Sequence, residues 1–310
     1  GVAADRPILG YSPRPNKRAR RPPPRARHPR IVPELPEVET IRRGVAPALV
    51  GRSVAAVHVY DRRLRWPVPR GLERDLPGWR VAAVDRRSKY LLFRMVPPAG
   101  APTDSGTMLV HLGMTGSLRI HRRAPARTTH DHVDLVFDDG TTLRYRDPRR
   151  FGTILWVPGD AAAHPLLARL GPEPFSAGFG ADTLHRATRG RRAAIKLALM
   201  DNRLVVGVGN IYANEALFRA GIRPTVAAGR LSRARLAGLV DAVRQTLAEA
   251  IDKGGSTLRD YVDSAGEPGA FQLGYAVYGR EGLPCPACGT PVRSRLQGQR
   301  STFYCPTCQT

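Results

Sequence analysis

The sequence predicts an α+β chain in three parts: a β-sandwich or barrel, a helical region, and a small metal-held module at the C-terminus. Three observations predict it. Apolar residues recur with period two from about Val54 to Val157. They recur with helical period from about Pro165 to Gly254. All four cysteines fall in the last 26 residues, so no disulfide framework spans the chain. Strands followed by helices, rather than alternating with them, indicate segregated layers. At 310 residues the chain is long enough for two or three domains.

Composition narrows the partners. Lys and Arg number 49 against 26 Asp and Glu, a formal charge of +23. A field of that sign suits a polyanion such as nucleic acid and argues against a small cationic substrate. No apolar run approaches the roughly 18 residues that a membrane span requires. No basic segment leads into an apolar one, so no secretory leader is expected.

Residues 1–32 differ from the rest. They hold nine Lys and Arg, one acid and almost no large apolar side chains. Such a segment buries too little surface to offset its ordering entropy. It reads as a disordered basic extension or as upstream sequence that is not translated. A targeting or nucleic-acid-binding arm is the alternative.

A first helix is expected over Pro36–Leu49, with Val38, Ile41 and Val45 on one stripe and Gly51 beyond its end. The runs VAAVHVY, WRVAAV, KYLLFRM, TMLVHL and GSLRI follow as strands between turn residues. The clearest hairpin is Asp131 to Asp147. Val133, Leu135 and Phe137 alternate to one face, Asp139-Gly140 turns, and Leu143 and Tyr145 return. Residues 97–106 read as a lengthened surface turn between strands.

In the helical region, Met200 to Gly221 reads as two helices joined by a turn at Gly207-Val208-Gly209-Asn210. The longest helix should follow Ser232 as N-cap. It carries Leu236, Leu239, Val240, Val243, Leu247 and Ile251 on one face and stops at Gly254-Gly255. Residues 264–270, rich in Gly and small residues, are either a plain linker or a loop that caps a substrate.

Cys285-x2-Cys288 and Cys305-x2-Cys308, sixteen residues apart, have the spacing of a four-thiolate zinc site. Two disulfides or free redox thiols are the alternatives. Four protein ligands leave no open position, so one structural zinc ion is expected. Arg293, Arg295 and Arg300 lie between the pairs and are expected to face phosphate.

The segment PELPEVETIRRG at Pro33–Gly44 resembles the start of the formamidopyrimidine-DNA glycosylases, bacterial enzymes that remove 8-oxoguanine and ring-opened purines. The resemblance continues in order through RLRWPV, RRSKYLL, HLGMTGSLRI, HDHVDL, RYRDPRRFG, LGPEP, MDNRLVVGVGNIYANEALFRAGI, VYGR and the cysteine pairs. It covers essentially all of 33–310. It implies an α+β multidomain fold: an N-terminal β-sandwich, a helix–two-turn–helix domain and a zinc finger. On this basis the expected domains are a basic extension at 1–32, a catalytic sandwich at 33–164, a helical DNA-binding domain at 165–272 and the finger at 273–310.

The resemblance also implies a chemistry. Pro33 matches an N-terminal proline nucleophile, whose secondary amine attacks C1′ of the damaged nucleoside and forms an iminium. The iminium acidifies the C2′ proton and permits β,δ-elimination. Glu34 matches an adjacent glutamate that donates and accepts protons at the sugar ring oxygen. Its plainer reading is a helix-start acid. Glu37 is expected to support the helix start. Lys89 matches a cleft lysine that contacts phosphate and assists proton transfer; otherwise it is a solvated strand lysine. Met114, Arg149 and Phe151 match a trio that fills the gap left by an extruded base. By sequence pattern alone, Met114 and Phe151 read as core residues. Asn210, Tyr278 and Arg300 match phosphate-gripping positions, and His111 matches a cleft residue or a buried strand histidine. Residues 264–270 match a mobile loop over the flipped base.

The implied partner is double-stranded DNA carrying oxidised purines or abasic sites, met by a monomer in the bacterial cytoplasm at the nucleoid, with no membrane. One departure bears on the chemistry. Pro33 is preceded by Val32, where the family has its initiator methionine, so its nitrogen is written as an unreactive amide. GTG encodes internal valine and also serves as a bacterial start codon. The expectation is a start at codon 32, with processing of a precursor as the alternative. Three rivals stand beside this reading: an endonuclease VIII-type enzyme for oxidised pyrimidines, a non-catalytic DNA-binding protein, and an RNA-associated zinc ribbon.

Overall fold

The computed structural model describes residues 33–100, 104–255 and 274–310. The basic extension and the 264–270 stretch lie outside them.

Helix α1 runs Leu35–Leu49, one residue earlier than expected. Eight strands follow: β1 Val54–Val59, β2 Arg80–Arg87, β3 Tyr90–Val96, β4 Gly106–His111, β5 Ser117–His121, β6 Asp131–Phe137, β7 Thr142–Arg146 and β8 Thr153–Pro158. Every expected strand run lies on one of them. They form two four-stranded antiparallel sheets, ordered β1-β6-β7-β5 and β2-β3-β4-β8. The alternating residues Val133, Leu135, Phe137, Leu143 and Tyr145 all lie in one core with the apolar stripe of α1. Each large apolar side chain in it contributes about 1.5–3 kcal/mol by leaving water. The opposite face of the β6–β7 hairpin is also buried. There Asp134 pairs with Arg144 at 2.7 Å and accepts a hydrogen bond from the Tyr60 hydroxyl.

The helical region holds α4 Ala181–Thr188, α5 Ile195–Leu199, α6 Asn210–Arg219 and α7 Arg233–Asp252, after two single-turn helices, α2 Leu72–Asp75 and α3 Pro165–Ala168. Helix α7 matches expectation: Ser232 Oγ accepts from Arg235 N, and every expected apolar position is buried. The Met200–Gly221 reading needs correction. Only its second helix, α6, lies there, while the first, α5, ends before Met200. The reason is local chemistry. Asp201 Oδ1 accepts the Arg203 N–H at 3.1 Å and turns the chain. The buried Val205, Val206 and Val208 are then packed without a helix.

Helix α1 touches both β2 and α7, so it joins the sandwich to the helical region. At the C-terminus, β9 Arg293–Gln297 and β10 Arg300–Tyr304 form a hairpin that packs on α6.

Candidate active site

Pro33 and Glu34 sit where the sandwich meets the helical region. Glu34 N–H donates to Glu37 Oε2 at 2.8 Å, and Tyr212 donates to Glu37 Oε1 at 2.6 Å. Glu37 therefore does support the start of α1. The Glu34 carboxylate reaches elsewhere. It accepts Gly209 N–H at 2.7 Å and Ile211 N–H at 3.0 Å, capping α6 from 175 residues away in the chain. The positive end of the α6 dipole faces that carboxylate. Leu35 N–H donates to Gly207 O at 3.2 Å and completes the seam. Glycine is required at 209, because a Cβ there would lie 2.2 Å from Glu34 Cδ.

Glu34 is only 2 % exposed, and its acidity reflects that. Burial pushes its pKa up to about 7. Lys89 and the two N–H groups pull it down, while the Glu37 carboxylate adds to the rise. The result is a buried acid that changes protonation near neutral pH, as a group that both gives and takes a proton must.

Lys89 lies in the two-residue turn between β2 and β3, not within a strand. Glu173 anchors that turn from the segment joining the two regions. It accepts Ser88 N–H at 2.7 Å, Arg86 Nη1 at 2.7 Å and Arg87 Nη1 at 3.0 Å. Lys89 acts on both Glu34 and His111. His111, at the end of β4, is pushed down to about 4 by burial, then by the charges of Lys89 and Arg65. Its Nδ1 accepts Gly113 N–H at 3.0 Å, which leaves the hydrogen on Nε2.

Met114 and Phe151 lie on neighbouring loops rather than in the core. Asp147, fully buried, ties them together. It accepts Thr115 Oγ1–H at 2.6 Å and Gly152 N–H at 2.8 Å. Thr115 Oγ1 in turn accepts Arg149 N–H at 3.1 Å. The loops meet so closely that a Cβ on Gly113 would lie 2.4 Å from the Phe151 backbone. Phe151 is 43 % exposed, and the Arg149 guanidinium lies 4.8 Å over its ring. An exposed aromatic ring on a braced loop is the part that a stacking wedge needs.

The remaining residues gather where α6 meets the finger. Asn210 opens α6, and its Nδ2 donates to Ser301 O at 3.1 Å. Asn210 Oδ1 is buried without a hydrogen-bond partner. The buried Tyr278 ring packs edge-on against Phe303, and Arg300 is exposed at the start of β10. Glu34, Asn210 and Arg300 all act on Tyr278. Thus Glu34, Lys89, His111, Asn210, Tyr278 and Arg300 form one connected set.

Sequence reasoning missed two residues. Lys196, fully buried on α5, donates to Thr302 Oγ1 at 2.7 Å and Ser301 O at 3.0 Å. Burial, then Arg300, pushes its pKa down to about 8, against the pull of Glu34. A lone lysine inside an apolar run was the available signal. Glu215, buried on α6, accepts the N–H groups of Ala276, Val277 and Tyr278 at 2.8, 3.0 and 2.8 Å. Nothing in its spacing distinguished it.

The four cysteine sulfurs lie within 4.8 Å of one another. Cys285 and Cys308 are separated by 3.8 Å, and Cys288 and Cys305 by 3.5 Å. Both exceed the roughly 2.05 Å of a disulfide. They suit the edges of a tetrahedron with metal–sulfur bonds of about 2.3 Å. The donor set therefore fits one closed, structural metal site.

Three sequence models of known domain families match the chain. The formamidopyrimidine-DNA glycosylase N-terminal domain matches residues 32–154, the formamidopyrimidine-DNA glycosylase H2TH domain 170–262, and the zinc finger found in FPG and IleRS 282–310. The formamidopyrimidine-DNA glycosylase of Paraburkholderia phytofirmans is 57 % identical over 284 residues, covering 90 % of this chain and all of that protein. The Burkholderia cenocepacia enzyme is also 57 % identical, with the same coverage. Among solved structures, the MutM (FPG) protein of Thermus thermophilus superposes with TM-score 0.78 at 43 % identity, covering 89 % of this chain and 98 % of that one. A Lactococcus lactis Fpg bound to DNA containing an abasic site gives TM-score 0.80 at 31 % identity, covering 89 % and 99 %.

Replacing Gly209 by Ala should drive the new methyl into Glu34 and cost about 1–3 kcal/mol of stability. Urea unfolding of the variant against the parent measures this. An unchanged midpoint would show that the seam yields freely.

Proposed function

The chain belongs to the formamidopyrimidine-DNA glycosylase family, and on that premise we propose that it is a bifunctional DNA glycosylase and AP lyase acting in base excision repair. Its substrates are 8-oxoguanine and formamidopyrimidines in double-stranded DNA, and abasic sites. The observation that carries the reading is the Pro33–Glu34 pair: a proline beside a buried acid that titrates near pH 7 on the N-terminus of α6.

The steps follow from those groups. The Pro33 nitrogen lone pair attacks C1′ of the extruded nucleotide; the C1′–base bond breaks with its electron pair on the base, which takes up the proton that the Pro33 nitrogen gives up. Protonated Glu34 delivers its proton to the sugar ring oxygen, so the ring opens and an iminium joins Pro33 to C1′. Loss of the C2′ proton then expels the 3′ phosphate, and a second elimination expels the 5′ phosphate. Lys89, which acts on both Glu34 and His111, would hold backbone phosphate together with His111, and Asn210, Tyr278 and Arg300 would do so on the finger side. Met114 and Phe151 enter the vacated stack, and Arg149 faces the widowed base. Extrusion costs a few kcal/mol, which these contacts offset.

An amide nitrogen cannot carry the first step, because its lone pair is shared with the carbonyl. The active form in this proposal therefore begins at Pro33. Supporting this, the N-terminal domain match starts at residue 32, and 90 % of this chain accounts for the whole of the curated relatives.

The four cysteines would hold one zinc ion. Bound there, it supplies a structural cross-link for the finger and leaves no position for substrate. Lys196, Asn210 and Asn214 hold the hairpin to α5 and α6, the last through Phe303 N–H at 2.8 Å. Metal analysis should return one zinc per chain. Chelation should cost lesion binding at least tenfold while the sheet signal in circular dichroism persists.

Borohydride trapping on a duplex with 8-oxoguanine opposite cytosine tests the nucleophile. A covalent adduct is expected from the form that begins at Pro33 and none from the uncleaved chain. An adduct from the uncleaved chain would assign the chemistry to another amine. No adduct from either, despite tight binding, would leave a DNA-binding protein without this activity.

Glu34 gives a pH signature. Unfolded, its carboxyl titrates near 4.5, and folded near 7, so between those values the folded state binds more protons. Stability should therefore fall as pH rises from about 4.5 through 7 and level off above. Against Glu34→Gln, which lacks the titration, the difference should reach the order of 3 kcal/mol. Urea midpoints across pH measure it. Parallel profiles for the two proteins would remove the titration from Glu34.

A further inference from the structure

Beside the Arg149–Phe151 loop lies an open groove of about 820 Å³ that the reaction above does not use. Tyr60 and Asp61 form its floor, and Arg62, Arg63, Arg127 and Arg150 stand around it. One carboxylate thus faces four guanidinium groups. Asp61 is shared between Arg63, at 2.9 Å, and Arg150, at 3.4 Å. Arg62 is paired with Glu73, outside the groove. Arg127 lies 4.8 Å over the Tyr60 ring and makes no ion pair among the described residues. Its loop, between β5 and β6, also exposes Arg122 and Arg123. The groove therefore carries positive charge in excess of its own acids, as a phosphate-binding surface does.

The groove is fixed to the wedge. Arg150 adopts φ +60°, a left-handed backbone conformation that costs a non-glycine residue energy. That conformation sends its guanidinium to Asp61, while Arg149 and Phe151 on either side of it stack on each other. Below them, the His132 ring spans the two places, its nitrogens each 3.0 Å from Asp61 O and Asp147 O. Asp147 is the carboxylate that braces the wedge loop. Wedge and groove are thus bridged by one buried ring rather than by long flexible side chains.

We propose that this groove seats backbone phosphates of the strand opposite the lesion. The inference rests on the reading of the chain as a lesion-binding glycosylase. In that reading the phosphates of the damaged strand go to Lys89, His111, Asn210, Tyr278 and Arg300. Arg149 faces the widowed base, and the residue after it lines the groove. The charge nearest the groove once the wedge is seated is therefore the phosphate backbone of the opposite strand.

The experiment measures binding of a duplex carrying a tetrahydrofuran abasic analogue opposite cytosine, as a function of salt. It compares the form that begins at Pro33, as parent, with its double variant Arg63→Gln/Arg127→Ala and with its Arg74→Gln variant, an exposed arginine outside the groove. Each lost phosphate contact lowers the slope of log Kd against log salt by about 0.9. The double variant should lose 1–2 units of slope, and Arg74→Gln none. At saturating protein the single-turnover rate of Arg74→Gln on 8-oxoguanine should match the parent.

Neutral methylphosphonates placed on one strand at a time identify the strand. On the opposite strand they should weaken the parent and leave the double variant unaffected. Equal slopes for all three proteins, or sensitivity confined to the lesion strand, would overturn the proposal. Failure of the parent to turn over the lesion would instead count against the glycosylase reading, and the salt slopes would still report on the groove.

Discussion

A carboxylate with almost no access to water sits between two parts of the chain that are 175 residues apart. Burying an ionised group is costly unless its lone pairs are taken up. The Glu34 oxygens meet that condition with two N–H groups at the start of α6, where the helix dipole adds to the attraction. The balance is incomplete, since burial still raises the pKa to about 7. That residual cost leaves Glu34 exchanging its proton near neutral pH. The same contacts fix Pro33 at the junction of the sandwich and the helical region. Gly209 is glycine because nothing larger fits against that carboxylate.

The other functional side chains follow a related rule. Several stand on backbone held by an acid. Glu173 accepts the Ser88 N–H beneath Lys89. Asp147 accepts the Gly152 N–H and, with Thr115, braces Arg149 and Phe151. Glu215 accepts three consecutive N–H groups that end at Tyr278. A carboxylate bonded to backbone N–H makes strong, short, directional contacts. It can therefore hold a loop in place while leaving the loop's own side chains free to face a partner. Glu173, Asp147 and Glu215 are thus structural, and the arginines and lysines at the surface give the field its sign.

That division leaves positive charge at the surface of the described residues. Much of the positive charge is exposed, as at Arg293, Arg295 and Arg300 on the finger. The acids that would offset it are spent in bracing loops or in local pairs such as Asp134 with Arg144. A surface with that imbalance attracts phosphate along its length.

Segregated strands and helices, the hairpin at Asp131–Asp147, α1, α7 and the four-cysteine module were all legible in the amino-acid pattern. Those features depend on periodicity, turn residues and spacing, which are local. The motif resemblance also singled out Glu34, Lys89, His111, Asn210, Tyr278 and Arg300, which act on one another in the fold. Pattern alone would have put Met114 and Phe151 in the core, since an apolar residue between strands carries no mark of exposure. The short α5 was misplaced because five residues make too weak a period to set a boundary. It took the folded chain to show that Glu34 caps a helix distant in sequence, that Lys89 stands on a turn held by Glu173, and that Lys196 is buried against the finger. Each of these rests on contacts between residues far apart in the chain, and burial and hydrogen bonding there depend on which surfaces meet.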